Sequence, residues 1–104
     1  MAAKVRGLSE DDFQSRVIGY AKLRGWRVVH IRPARQGVRW VTPYEGDPGL
    51  PDLILARGGR ILLAEFKSAN GRFRPGQQEW LAAAGEHGRL WRPVDWATIM
   101  DELK

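Results

Sequence analysis

The stretch Pro51-Asp52-Leu53-Ile54-Leu55-Ala56-Arg57-Gly58-Gly59-Arg60-Ile61-Leu62-Leu63-Ala64-Glu65-Phe66-Lys67 decides the fold. Two apolar runs flank a Gly-Gly pair, the pattern of a β-hairpin closed by a two-residue turn whose central positions take positive φ. Such a turn fixes the register. Arg57 pairs with Arg60, Ile54 with Leu63, and Asp52 comes opposite Glu65, their Cβ atoms about 5 Å apart. Lys67 stands two residues beyond Glu65 and so projects from the same face.

Directly opposed carboxylates repel one another, so an arrangement that retains them calls for something that rewards them. A hard divalent cation held by oxygen ligands does so, and Mg²⁺ characteristically takes one or two carboxylates, several waters and a substrate phosphate. A neighbouring lysine can hold an attacking water or stabilise charge developing on the phosphate. Glu-x-Lys or Pro-Asp alone is common and carries little weight. The shared register makes the three residues informative, and together they point to metal-assisted phosphodiester hydrolysis.

Reading outward, Ser9 followed by Glu10, Asp11 and Asp12 marks a helix start, Phe13, Val17 and Ala21 recur at helical spacing, and Gly25 stops the helix. Glu10 and Gln14 share the side of that helix expected to pack inward. Trp26 to Ile31 reads as a strand, on which the sidedness of His30 stays open. Arg32 to Leu50 is rich in Pro and Gly, with Val38 to Thr42 able to pair back as a short strand; so long a connection in so small a chain is more often functional than idle. After a polar link from Ser68 to Arg74, Pro75 is expected to start a helix ending by Gly88, with His87 as a helix-end residue. Leu90 to Val94 is expected to be a strand, and Asp95 to cap a last helix with Trp96, Ile99 and Met100 on its buried side. The order α-β-(β)-β-β-α-β-α predicts an α/β sandwich around a central mixed sheet flanked by helices.

The chain has 104 residues, enough for one core, so residues 1–104 are expected to form a single domain. It has no cysteine and two histidines, which excludes disulfide scaffolds and thiolate metal sites and disfavours a zinc site. No apolar run is long enough to span a bilayer, and Met1 to Gly7 lacks the apolar stretch of a secretory signal, so an intracellular, cytoplasmic protein with no membrane partner is expected. The net charge is +5, with thirteen arginines to four lysines, a balance that favours a polyanionic partner and bidentate phosphate contacts. Arg32, Arg35 and Arg39 before the acidic pair, and Arg72 and Arg74 after it, are the expected DNA-phosphate contacts. Of the five tryptophans, Trp80 and Trp96 fit buried helix faces and Trp26 and Trp91 flank strands. Trp40 is the one suited to stacking on a base or to a subunit contact.

Pro51-Asp52, twelve intervening residues and Glu65-Phe66-Lys67 resemble the PD-(D/E)xK nuclease superfamily. The wider string GDPGLPDLILARGGRILLAEFKS, followed by RPGQQEWL, resembles its VRR-NUC branch, small stand-alone members of which occur in viruses and bacteriophages. The likeness runs from the Ser9-Glu10 helix to Trp91-Arg92-Pro93. It implies a restriction-endonuclease-like α-β sandwich and a DNA endonuclease dependent on Mg²⁺ or Mn²⁺. In that resemblance Asp52, Glu65 and the backbone carbonyl of Phe66 are metal ligands, and Lys67 positions or activates the water. Glu10 is the additional acid, binding metal directly or through water. Gln77, assigned over Gln78 by its spacing to Trp80, orients Lys67 or contacts substrate. The implied substrate is branched or duplex DNA, cut by structure rather than sequence as Holliday-junction resolvases do, with a homodimer supplying two active sites and the host cytoplasm as location if phage-encoded. The competing reading is a basic DNA-binding protein that does not cleave.

Overall fold

A computed structural model describes residues 9–32, 34–41 and 44–104, the side chains of 34–36, 40 and 41 excepted. Residues 1–8, Pro33, Thr42 and Pro43 lie outside the described residues, and with them the reading of Met1 to Gly7. The chain folds as α1 (Glu10–Leu23), β1 (Arg27–His30), β2 (Ala34–Gln36), β3 (Arg39–Val41), β4 (Leu53–Arg57), β5 (Arg60–Phe66), α2 (Gln77–Ala84), β6 (Gly88–Trp91) and α3 (Trp96–Leu103), with single 3₁₀ turns at Gly85–His87 and Pro93–Asp95.

The Gly-Gly hairpin forms in the expected register. Gly58 and Gly59 take φ of +58° and +81°, the left-handed conformations this turn needs, and Arg57 pairs with Arg60, Ile54 with Leu63 and Leu53 with Ala64. β1 pairs antiparallel with the outer edge of β4, and β6 pairs parallel with β5 after the α2 crossover. The result is a mixed four-stranded sheet in the order β1-β4-β5-β6, flanked by helices. Among the described residues β2 and β3 pair with each other as a separate two-stranded ribbon, so the short strand expected within Val38 to Thr42 pairs back on Ala34–Gln36.

Alternation along the hairpin divides its side chains between two faces. Leu53, Leu55, Leu62, Ala64 and Phe66 join Phe13, Val17 and Ala21 of α1 and Ile99 and Leu103 of α3 in one buried cluster. Phe66 is central to it, meeting Phe13 edge-on at 5.6 Å between ring centroids and Trp91 at 6.1 Å. Glu65 has the opposite parity and meets α2 instead.

Ser9 caps α1, its Oγ accepting from the Asp12 N–H at 3.2 Å, and Gly25 at φ +87° turns the chain out of the helix. Arg57, at the turn end of the hairpin, stacks over Trp26 at 4.5 Å and donates to the Arg24, Leu103 and Lys104 carbonyls at 2.8–3.0 Å. One guanidinium thereby meets the carbonyl-rich ends of both α1 and α3. Along the other side, Arg89 and Arg60 both bond Glu102 and tie α3 to β6 and β5.

Four local expectations need correction. α2 begins at Gln77, because Pro75 and Gly76 form a turn in which Gly76 takes φ +88°. β6 ends at Trp91, since Pro93 has no N–H for a ladder and starts a 3₁₀ turn that leaves Val94 exposed. The Asp95 side chain accepts from the Arg92 N–H at 2.9 Å, closing that turn rather than capping α3. Trp80 and Trp96 are half-buried, the Trp80 indole donating to the Asp47 carbonyl at 3.2 Å. No helix among the described residues is long and apolar enough to cross a membrane.

Phe13→Ala would empty the ring's place against Phe66. The expected loss is about 3–5 kcal/mol, read as a lower urea midpoint at unchanged m-value.

Candidate functional site

Asp52 lies one residue before β4, where the regular ladder has ended. Its carbonyl accepts from the Ile31 N–H at 2.7 Å, and its Oδ2 accepts from the Phe66 N–H at 2.9 Å. A side chain thus holds the end of the hairpin where the next ladder bond would stand, and this brings the Asp52 carboxyl alongside Glu65.

Glu65 is 2% exposed. Its Oε2 accepts from Gln77 Nε2 at 2.8 Å and faces Lys67 Nζ at 3.3 Å, and the lysine side chain is itself only 8% exposed. Its Oε1 is buried with no hydrogen-bond partner among the described residues. Burial pushes the Glu65 carboxyl up to about 8; the Asp52 charge and hydrogen bond push the same way, and Lys67 pulls it down.

Gln77 is fixed from both ends. Its Oε1 accepts from the Arg74 N–H at 2.7 Å, which leaves Nε2 to donate to Glu65. Its backbone is set by a close crossing of two chain segments, where Gly49 and Gly76 take φ of +91° and +88°. A Cβ on Gly49 would lie 2.7 Å from the Gly76 carbonyl oxygen, and one on Gly76 would lie 2.8 Å from the Pro48 carbonyl carbon. Only glycine fits at either place, for space as well as for dihedral angle. The crossing lies three residues before Asp52 and one before Gln77, so a single contact registers both.

Asp52, Glu65, Lys67 and Gln77 open onto a cleft of about 290 Å³. Phe66 also lines it; with the ring in the core, the backbone is the part of that residue at the cleft. Glu10 reaches the cleft from the start of α1 but is exposed, whereas Gln14, one turn on, is buried. The shared inward side expected of those two therefore holds for Gln14, with Glu10 on the rim. Arg32 and Arg74 line the cleft from different elements, both exposed. Arg72 is exposed and outside the lining, and Arg39 is exposed on the ribbon. Arg35 and Trp40 occupy paired positions of the ribbon, and their side chains lie outside what is described.

Four residues of this cleft, Asp11, Gln14, His30 and Ile31, are not among the site residues expected from the sequence. His30 pairs with Leu53 across β1 and β4, one step from Asp52, and its Nδ1 accepts from Arg32 Nε at 3.3 Å. Burial, and then the Arg32 charge, lower its pKa below the ordinary 6.5 despite the opposing pull of Asp52 and Asp11. The sidedness of a four-residue strand is not readable from alternation when both neighbours, Val29 and Ile31, are apolar. The usable signal was the short distance in sequence to the arginine.

Among the described residues no group of three or more His, Cys, Asp and Glu side chains is gathered as a ready-made metal cage. The donor set is two facing carboxyls, with one Glu65 oxygen saturated by Gln77 and Lys67 and the other bare. That set suits a hard cation that keeps much of its own water, because such an ion needs few protein ligands and seeks an unpartnered carboxylate oxygen.

Without a divalent cation, the Glu65 proton makes stability depend on pH. The unfolded chain releases it near 4.5 and the folded chain near 8, so between those values the folded state holds more protons. Its stabilising contribution is complete below the lower value and is lost as pH rises through the upper one. In EDTA, the wild-type urea midpoint is expected to fall between about pH 5 and about pH 9, and Glu65→Gln, which cannot ionise, to flatten that fall.

Compared with models of known protein families, with curated proteins and with solved structures, the chain matches none.

Proposed function

We propose that the chain is a divalent-metal-dependent DNA endonuclease with a restriction-endonuclease-like fold of the VRR-NUC kind. The observation that carries this reading is the Glu65 carboxyl, which is almost wholly buried beside Asp52 and Lys67 with one oxygen that has no hydrogen-bond partner among the described residues. A buried carboxylate left in that state is costly unless a cation completes it. The resemblance of Pro51-Asp52, Glu65-Phe66-Lys67 and Gln77 to the PD-(D/E)xK pattern supports the same conclusion.

On this reading Asp52 and Glu65 would hold Mg²⁺ or Mn²⁺, with the Phe66 carbonyl as a further ligand and Glu10 acting from the rim. The bound ion would polarise the scissile phosphate and acidify a coordinated water. Lys67, held beside Glu65, positions the nucleophilic water and offsets negative charge as the phosphate is attacked. Gln77 keeps the Glu65 Oε2 lone pair occupied, so the carboxylate presents Oε1 to the cleft. Arg32 and Arg74 flank the cleft and bind backbone phosphates, which gives salt-sensitive, largely sequence-independent affinity. The products are a 5′-phosphate and a 3′-hydroxyl. So small a protein has little surface with which to read bases, which favours selection by DNA structure, and a two-fold homodimer would bring one cleft to each strand of a junction.

One observation favours a second reading. Burial and the Asp52 charge push the Glu65 carboxyl up to about 8, so a proton on Glu65 would relieve the pair without a metal, a state that suits a basic DNA-binding protein that does not cleave.

Labelled four-way junction, flap, linear duplex and single-stranded DNA, each with Mg²⁺, Mn²⁺ or EDTA, separate the two. Metal-dependent cutting is expected, lowered about a hundredfold or more by Asp52→Ala and by Lys67→Ala. Paired symmetric nicks in the junction would identify a resolvase. DNA binding in EDTA with no cutting of any substrate would leave the non-catalytic reading.

A further inference from the structure

We propose that His30 is a positioning residue: it holds Arg32 as a preset phosphate-binding fork on the β1 side of the cleft. The inference rests on the nucleic-acid reading of the cleft and adds to it a residue outside the acid, acid, lysine and glutamine set.

The argument begins with the donor inventory. An arginine only donates hydrogen bonds, so in the Arg32 Nε to His30 Nδ1 contact the imidazole nitrogen is the acceptor. The ring is therefore neutral, with its proton on Nε2. Two consequences follow for Arg32. Its Nε is committed, which restrains the long side chain, while both terminal Nη amino groups make no hydrogen bond or ion pair among the described residues. Those two groups form the end-on fork that matches two oxygens of one phosphate.

The placement also fits. The pairing of β1 with β4 continues past His30 through the bond from Ile31 N–H to the Asp52 carbonyl, so residues 30–32 are anchored to the segment that carries Asp52. Positions two apart on an extended chain lie on one side, and His30 and Arg32 both line the cleft. Several carboxyls line it too, Asp11 and Asp52 among them, yet Arg32 pairs with neither. A free arginine at that rim would be drawn onto them. Through His30 the guanidinium is held off the acids, on a cleft that Arg74 also lines, and is available to a phosphodiester. Less ordering is then left to occur when the strand binds.

A double-mutant cycle tests this. Binding of fluorescent junction and duplex DNA is measured in EDTA across a salt series, and cleavage kinetics in Mg²⁺, for wild type, His30→Ala, His30→Asn, His30→Gln, Arg32→Ala and the His30→Ala/Arg32→Ala pair. Asn places an acceptor near the Nδ1 position, whereas Gln places its amide near Nε2. Expected are about tenfold increases in Kd and KM for His30→Ala and for Arg32→Ala, with kcat within about twofold of wild type. The double variant should be no worse than either single one, and the salt slope should be shallower by about one counterion in each. His30→Asn should recover most of the loss and His30→Gln should not. Additive losses, a fall in kcat at unchanged KM for His30→Ala, or His30→Asn no better than His30→Ala would each overturn the proposal. Because binding is read in EDTA, the two readings fail separately. Coupling between His30 and Arg32 without any cleavage would remove the nuclease and keep the positioning role, whereas cleavage without coupling would do the reverse.

Discussion

The structure turns on one buried carboxyl. Glu65 sits on the face of β5 opposite the apolar cluster, enclosed by Asp52, Lys67 and Gln77. Burying such a group in its charged form is unfavourable; two neighbours lessen the penalty and the third adds to it. Gln77 donates a hydrogen bond to one oxygen, Lys67 supplies opposite charge to the same oxygen, and Asp52 makes ionisation harder. The balance leaves a carboxyl that keeps its proton well above the ordinary range. Each neighbour comes from a different part of the chain: the approach to β4, the exit of β5 and the first residue of α2. Holding the three in register explains several local features, including the side-chain bond that replaces the last hairpin rung and the glycine crossing that sets α2.

Much of this was legible in the sequence, for a definite reason. A two-residue Gly-Gly turn leaves no freedom in register, so the neighbours of Glu65 across the hairpin could be counted from Gly58 and Gly59. The core face of the hairpin and the cap of α1 at Ser9 follow from equally local rules. Features that depend on chain segments meeting at a distance were not legible. Nothing in Gly49 or Gly76 by itself announces that each is packed against the backbone of the other's segment. The start of α2 was misplaced by two residues because Pro75 is a good helix opener, whereas here the crossing demands a turn at Pro75-Gly76. The side taken by His30 stays open in the sequence because its strand shows which side faces the cleft only once paired with β4.

The net charge of the molecule and the mixed charges lining its cleft differ in character. A chain of net charge +5 gathers carboxyls from Glu10, Asp11, Asp52 and Glu65 around one small opening, with arginines standing at its edges. The far field draws in a polyanion, whereas at the cleft the carboxyls oppose its phosphates and the arginines attract them. Approach and engagement are thus governed by separate charges, and salt acts mainly on the first because exposed arginines are screened more than buried carboxyls.

Arg57 marks the opposite end of the same hairpin, where its guanidinium gathers the last carbonyls of α1 and α3. Five strand residues of about 3.3 Å each separate that clasp from the acidic end, so the tie that closes the fold and the groups that would handle a ligand barely share neighbours. Effects at sites so far apart add rather than compound. A variant line could therefore trade rigidity at the turn for novelty at the cleft, or the reverse, without passing through forms that lack both. In a chain of this size, such separation leaves room for change.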